Sequence, residues 1–126
     1  MVKIPVSVGE LIDKYTILQI KKGKVGQDKL PKVKNEIDAL APLIDPLLAI
    51  DSISVLYDDL VGINTQLWDV EDELRVLEKE KSFGENFIKL ARSVYLLNDM
   101  RFEIKNRINI LTNSDIQEVK HYIDYK

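Results

Sequence analysis

The 126-residue sequence contains no cysteine and a single histidine, His121. Without cysteine the chain has neither a disulfide framework nor a thiol nucleophile. One imidazole cannot form the histidine clusters that are typical of zinc sites. These absences exclude thiol chemistry and histidine-rich metal sites, and we expect no catalytic residue, no metal and no cofactor.

The sequence also lacks long apolar runs and an excess of charge of one sign. No segment reaches the 18 apolar residues of a membrane span, and the opening MVKIPVSVGE has no signal-peptide pattern. A net charge of −3 provides no general attraction to nucleic acid or to anionic lipid. We therefore expect one cytoplasmic domain, residues 1–126, with no nucleic-acid partner and no membrane partner.

Two N-terminal helices are predicted. Residues 7–22 carry apolar side chains at helical spacing after a capping box formed by Ser7 and Glu10, and Gly23 is the expected end. A second helix follows Asp28 as its expected cap, with apolar residues in steps of three and four. Because Pro42 and Pro46 each remove a helical hydrogen bond, we expect a kink or break between residues 41 and 46.

A long helical hairpin is the main feature of the sequence. Residues 52–80 and 85–113 both carry a heptad-like seam, and the short connector makes the two helices antiparallel. Facing residues then have numbers that sum to 164, as Leu67 and Leu97 do. The same register places Ile63 opposite Arg101 and predicts an ion pair between Asp59 and Arg107.

A second apolar stripe flanks the seam on both helices of the hairpin. A two-helix hairpin cannot bury this stripe, so one or two N-terminal helices should pack across it, which predicts an all-α fold. Apolar residues alternate near both ends of the chain, which predicts short extended termini that either pair as two strands or stay unpaired. The stripe consists of Tyr57, Val61, Trp68, Ile88, Ala91, Tyr95 and Phe102.

Four segments resemble an uncharacterised family of small helical proteins from bacteria and their phages: IPVSVGELIDKYTIL, LWDVEDELR, FIKLARSVYLLNDMRFEIKNRIN and SDIQEVKHY. The resemblance extends from the opening segment through the tail. It implies an all-α fold without an established activity. Similar domains occur beside or fused to glycosyltransferase-like proteins, which implies a link to sugar or surface-polysaccharide metabolism.

Arg101 is the most informative polar residue because a guanidinium in an apolar seam must be paired or must reach water. Its candidate partners are Asp59, Asn64 and Asn98 on the hairpin and Glu10 or Asp13 on the first helix. Arg101 is either a structural residue that sets the register or an anchor for an anionic ligand. In the second interpretation, polar and aromatic side chains form a pocket between the first helix and the hairpin, lined by Arg101, Asn64, Asn98, Trp68, Glu71 and Tyr95.

Other acidic and basic patterns have weaker functional interpretations. The pairs Glu10 with Asp13 and Asp69 with Asp72 have the spacing of magnesium-binding carboxylates, and Glu118 with His121 has the spacing of half a di-iron motif. The first helix also resembles the opening helix of all-α chorismate mutases, which bind a dianion with basic side chains. Here only Arg101 and Lys14 could take that part.

Charge is unevenly distributed along the chain. Residues 21–34 hold six lysines against one aspartate, while residues 51–80 hold nine acidic side chains against two basic ones. Oppositely charged regions favour association between copies. Two functional hypotheses remain open. The first is a non-enzymatic module that forms a homodimer or binds a protein partner, and the second is a small-anion-binding protein or enzyme with its pocket around Arg101.

Overall fold

A computed structural model describes residues 1–126 and confirms the predicted all-α fold. It contains four helices and no strand: α1 (Val8–Lys24), α2 (Leu30–Leu48), α3 (Asp51–Lys79) and α4 (Glu85–Leu111). None of the four combines the length and the apolar character that crossing a membrane requires.

Helix α1 begins as predicted, with the Ser7 hydroxyl accepting a hydrogen bond from the Glu10 backbone N–H at 3.0 Å. Two details of the prediction are wrong. The Glu10 carboxylate does not complete the capping box, because it binds Lys105 Nζ at 2.6 Å. The helix also continues through Gly23 to Lys24, and no glycine in the chain adopts a left-handed conformation.

Helix α2 is continuous from Leu30 to Leu48, with Pro42 and Pro46 inside it. Of the two predicted alternatives, a kink or a break, the break is therefore wrong. The side chain of Ile44, between the two prolines, is completely buried in a cluster that includes Ile12. Burial of an isoleucine stabilises by about 1.5–3 kcal/mol, which offsets much of the hydrogen bonding that the prolines remove. Asp28 is not the cap, since Lys29 occupies the N-cap without a side-chain hydrogen bond.

Helices α3 and α4 form the predicted antiparallel hairpin, ending one or two residues before the predicted 80 and 113. Leu56 and Ile108 pack in one buried cluster, and Leu67 and Leu97 pack in another, as the sum of 164 requires. The predicted ion pair between Asp59 and Arg107 does not form, and both residues are exposed to solvent. Solvation of two exposed charges competes with a pairing that contributes little at a surface.

Helices α1 and α2 both pack on the hairpin. Helix α1 contacts α3 and α4, while α2 contacts α1 and α3. The second apolar stripe is therefore covered over most of its length, and Tyr57 packs against Tyr15 of α1 with ring centroids 6.2 Å apart. Two members of the stripe, Ile88 and Tyr95, remain exposed, and Tyr95 packs on Tyr125 of the C-terminal tail.

The termini do not pair as strands, so that alternative of the sequence prediction is wrong. Residues 1–6 form no regular structure and are exposed. The C-terminal residues 115–126 form no regular structure, but several of their side chains bind the helices. Side-chain contacts, rather than a β-ladder, therefore position the C-terminal tail.

Candidate functional site

The candidate site is centred on a buried ion pair between α1 and α4. Asp13 is only 1% exposed. Arg101 donates from Nε to Asp13 Oδ1 at 2.9 Å and from Nη2 to Asp13 Oδ2 at 2.5 Å. This two-bond geometry is the strong arrangement for a guanidinium and a carboxylate. Of the candidate partners that the sequence offers for Arg101, the one that pairs with it is therefore Asp13 of α1.

Amide and hydroxyl groups complete the hydrogen bonding around this pair. Asn64 Nδ2 lies 2.9 Å from Asp13 Oδ1 and 2.7 Å from Thr16 Oγ1, and Thr16 donates to the Asp13 carbonyl at 2.6 Å. The hydrogen bonds that Arg101 donates to Asp13 raise the pKa of Arg101, against the opposing effect of burial. No buried side-chain nitrogen or oxygen in the protein lacks a partner. The network is fully satisfied by protein groups.

A second ion pair lies one turn along α4. Lys105 Nζ lies 2.6 Å from Glu10 Oε2 and 3.8 Å from Asp13 Oδ2. The two helices approach closely here, and the Gly9 backbone N–H donates to Asn109 Oδ1 at 2.7 Å. A Cβ atom on Gly9 would lie 2.5 Å from the Lys105 carbonyl oxygen. Glycine is therefore required for this approach of α1 to α4.

The C-terminal tail adds Glu118 to this end of the network. The Glu118 carboxylate accepts a hydrogen bond from the Ser7 hydroxyl and another from Asn109 Nδ2, the latter at 3.1 Å. Burial acts to raise the pKa of Glu118, but hydrogen bonds from Ser7, its own backbone and Asn109, with the charge of Lys105, lower it overall. Glu118 thus stays ionised and ties the tail to the start of α1.

Asp99 of α4 forms a second attachment for the tail. Its carboxylate accepts hydrogen bonds from the Lys120 ammonium and from the Tyr125 hydroxyl. These two bonds, the one from Lys120 foremost, lower the pKa of Asp99. The bond to Asp99 raises the pKa of Tyr125 to about 12. Tyr125 also packs edge-to-face on Tyr95 with centroids 5.0 Å apart.

An open hollow of about 360 Å³ lies beside the network. Three of its lining side chains are cations, but each of them is neutralised: Arg101 by Asp13, Lys105 by Glu10 and Lys120 by Asp99. The hollow therefore presents a balanced set of charges rather than a free cationic site. Its lining consists of Glu10, Asn98, Arg101, Phe102, Lys105 and Lys120.

The six residues predicted to line one pocket occupy several places. Arg101 and Asn98 line the hollow, where Asn98 Oδ1 lies 3.4 Å from Arg101 Nη1. Asn64 is buried behind it. Trp68 is half-buried on α3 and does not line the hollow.

The other two predicted residues lie away from the hollow. Glu71 lines a separate hollow with Leu74 and Phe87, although its charge contributes to raising the pKa of Arg101. Tyr95 is exposed and packs on the tail. The sequence register alone could not separate these positions, because all six lie on the same side of the hairpin.

Sequence reasoning missed Lys105, Asp99, Asn109 and Lys120. Lys105 and Asn109 are four residues apart and so lie on one face of α4. This spacing is the sequence feature that could have predicted a shared polar contact with α1. No sequence pattern predicts the role of Lys120, because it lies in an irregular tail and its partner, Asp99, is 21 positions away.

The acidic pairs considered as magnesium ligands are arranged for other contacts. Glu10 and Asp13 bind Lys105 and Arg101, while Asp69 lies 3.5 Å from Lys24 Nζ and is exposed. No group of three or more histidine, aspartate or glutamate side chains is arranged to hold a metal ion. His121 is exposed in the tail and shares no contact with Glu118.

Comparison with known proteins identifies the family. No curated protein and no solved structure matches the chain. A family described as a family of unknown function, DUF6165, matches residues 2–125. The match runs from the opening segment into the tail, as the resemblance predicted, while the bacterial or phage origin and the link to glycosyltransferase-like proteins stay predictions. The chain therefore belongs to the DUF6165 family, a family of unknown function.

Proposed function

We propose that the protein is a non-enzymatic cytoplasmic module that binds a second copy of itself. The observation that carries this proposal is an apolar groove at the end of the bundle opposite the α3–α4 turn. The groove has a volume of about 480 Å³ and is lined by residues from the start of α3 and the end of α4. We call it the open-end groove, and its lining consists of Ser52, Val55, Leu56, Arg107, Ile110 and Leu111.

The open-end groove has no partner within the chain. Val55, Ile110 and Leu111 are exposed there, while Leu56 is buried at its base. Apolar surface concentrated in one groove marks an interaction site more often than scattered exposed side chains do. Association of two copies would remove these side chains from water.

The polar network is arranged for a structural role rather than for catalysis. A catalytic carboxylate or base needs a protonation state and an approach that are free for the substrate. Here Asp13 is enclosed by Arg101 and Asn64, and Glu10 is held by Lys105. These groups connect α1 to the hairpin, which is a structural task.

Some charges of the basic segment 21–34 and the acidic segment 51–80 pair with each other within one copy. Lys24, in the basic segment 21–34, lies 3.5 Å from Asp69 in the acidic segment 51–80. Fewer unpaired charges then remain to attract a second copy. We therefore expect dimerisation to depend on apolar contact and to persist at high salt, where exposed charges are screened.

Sedimentation at tens of micromolar tests the proposal. We expect a species of twice 14.5 kDa in both 0.1 M and 0.5 M salt. The double variant Val55→Asp/Ile110→Asp should dissociate it. The matched control Val76→Asp/Ile88→Asp places the same charges on two comparably exposed residues near the α3–α4 turn. A single 14.5 kDa species for the parent protein, or equal dissociation by the control, would contradict the proposal.

A second candidate function is binding of a small anion in the hollow beside the ion pairs. The specific observation in its favour is that Arg101, Lys105 and Lys120 converge there beside the Phe102 ring, with Lys120 Nζ 5.6 Å from the ring centroid. An anion would have to displace Glu10 from Lys105 or Asp99 from Lys120. The link to sugar or surface-polysaccharide metabolism that the resemblance implies belongs to the self-associating module, the first candidate.

Thermal melting with sugar phosphates, nucleotide sugars and dicarboxylates tests this second candidate. A ligand at 100 times its dissociation constant stabilises by about 2.7 kcal/mol, which shifts a domain of this size measurably. Lys105→Met should abolish that shift, and Lys89→Met, an exposed lysine elsewhere on α4, should leave it unchanged. The candidate fails if no compound in the panel shifts the parent's melting curve.

A further inference from the structure

We infer that residues 1–6 of each copy, the N-terminal arm, lie in the open-end groove of the second copy. The inference rests on the proposed self-association and specifies how the two copies hold each other. Each copy would supply one arm and one groove. A reciprocal exchange of this kind is isologous, so it closes at two copies and forms no open filament.

The arm carries apolar side chains that its own chain does not bury. Val2 and Ile4 are 88% and 72% exposed. In the extended conformation that we infer for the bound arm, residues two apart point to the same side, so Val2 and Ile4 form one apolar edge. No hydrogen bond and no buried cluster of the protein includes a residue of the arm. The arm therefore has an apolar edge without a partner.

The arm begins at the same end of the bundle as the groove. Ser7, where it joins α1, is held there by Glu118, and Val8 by Ser114 just after the end of α4. Six extended residues span at most about 20 Å. This reach suits a groove on a copy that abuts the same end.

The chemistry of the arm matches that of the groove. The arm contains one basic residue, Lys3, and no acidic residue. The first nine residues of α3 include Asp51, Asp58 and Asp59, which outnumber the one basic residue of the groove lining, Arg107. Pro5 lacks an N–H and disfavours helix at the residue before it, so the arm remains extended and binds through side chains rather than by continuing α1.

A matched pair of double variants tests whether the arm contributes to dimerisation. Val2→Ser/Ile4→Ser removes the apolar edge, and Val119→Ser/Ile123→Ser makes the same kind of change in the tail, where the residues are 90% and 89% exposed. We expect the arm variant to weaken dimerisation at least tenfold and the tail variant to leave it unchanged. Circular dichroism should show both variants folded, since none of the four residues is buried.

Disulfide trapping tests where the arm lies, and the absence of native cysteine makes the experiment clean. A chain with Ile4→Cys mixed with a chain with Ile110→Cys should form a disulfide between the two chains. If the double variant Ile4→Cys/Ile110→Cys instead closes within one monomer, the arm occupies its own groove and the exchange is wrong.

The outcomes separate this inference from the proposed function. A dimer that is unaffected by Val2→Ser/Ile4→Ser would overturn the arm exchange and leave self-association intact. A parent protein that is monomeric at tens of micromolar would remove the proposed function and the exchange together. Weakened dimerisation with trapping between chains supports both.

Discussion

Asp13 and Arg101, 88 positions apart in the chain, form a two-bond ion pair that ties α1 to the helical hairpin. The carboxylate is buried, whereas the guanidinium keeps one edge on the open hollow. A buried carboxylate is stable only with its partner in place. The position of α1 on the hairpin therefore depends on this pair as well as on apolar packing.

We expect Arg101→Met to lower the free energy of unfolding by about 3–5 kcal/mol, because it leaves Asp13 buried without its guanidinium. Asn64 and Lys105 still face Asp13, which places the loss near the lower end of that range. Urea unfolding followed by circular dichroism measures it. The double variant Asp13→Leu/Arg101→Met should recover most of the loss, since no unpaired charge then remains.

The control for this prediction is Arg75→Met, which removes an exposed arginine lying 3.9 Å from Glu71. A surface pair of this kind contributes about 0–1 kcal/mol. If Arg101→Met costs no more than Arg75→Met, the buried pair does not stabilise the protein.

We expect Gly9→Ala to destabilise the protein by about 1–3 kcal/mol, because the added methyl group would collide with the Lys105 backbone. Gly62→Ala is the matched control, since Gly62 lies inside α3 with no atom within 4 Å of an added Cβ. Alanine there should stabilise by about 0.5–1 kcal/mol through helix propensity. The melting temperatures of the two variants should shift in opposite directions. A melting temperature of Gly9→Ala equal to or above that of the parent protein would show that α1 and α4 can separate at little cost.

We expect Pro42→Ala to stabilise the protein by about 1–3 kcal/mol. Pro42 is exposed inside α2, so alanine restores a helical hydrogen bond and removes little packing. Pro31 stands in the first turn of the same helix, where a proline needs no N–H partner. Pro31→Ala should therefore leave the urea midpoint almost unchanged, and equal effects of the two substitutions would contradict a continuous α2.

The attachment of the tail should depend on pH at both extremes. The hydrogen bonds from Lys120 and Tyr125 lower the pKa of Asp99 in the folded protein below its ordinary value near 3.8. The ionised Asp99 therefore stabilises the folded state fully above pH 3.8, and this stabilisation is lost as the pH falls through the lower pKa of the folded state. The hydrogen bond to Asp99 raises the pKa of Tyr125 to about 12. The protonated Tyr125 hydroxyl therefore stabilises the folded state fully below pH 10, and this stabilisation is lost as the pH rises through 12.

Tyrosinate absorbance measures the alkaline half of this prediction. Subtracting the titration of Tyr125→Phe isolates Tyr125, which should ionise near pH 12. Asp99→Ala should return it toward its ordinary pKa of 10. Ionisation of Tyr125 near pH 10 in the parent protein would show that the tail does not rest on Asp99 in solution.

The sequence by itself determined the helices and the register of the hairpin. Apolar spacing of three and four residues follows directly from helix geometry, and two long seams joined by a short turn admit one alignment in which apolar residues meet. Leu67 accordingly packs in one cluster with Leu97. The sequence also singled out Arg101, because a charge in an apolar seam violates the pattern that surrounds it.

Only the tertiary structure decided the continuity of α2 and the partners of the polar groups. Local rules predict a break at Pro42, but the complete burial of Ile44 against α1 and α3 is a long-range effect that outweighs them. Arg101 had five candidate partners in the sequence, and Lys120 had no predicted role. Hydrogen bonds and ion pairs require atoms within about 3 Å, a distance that helix periodicity does not specify for residues 21 or 88 positions apart.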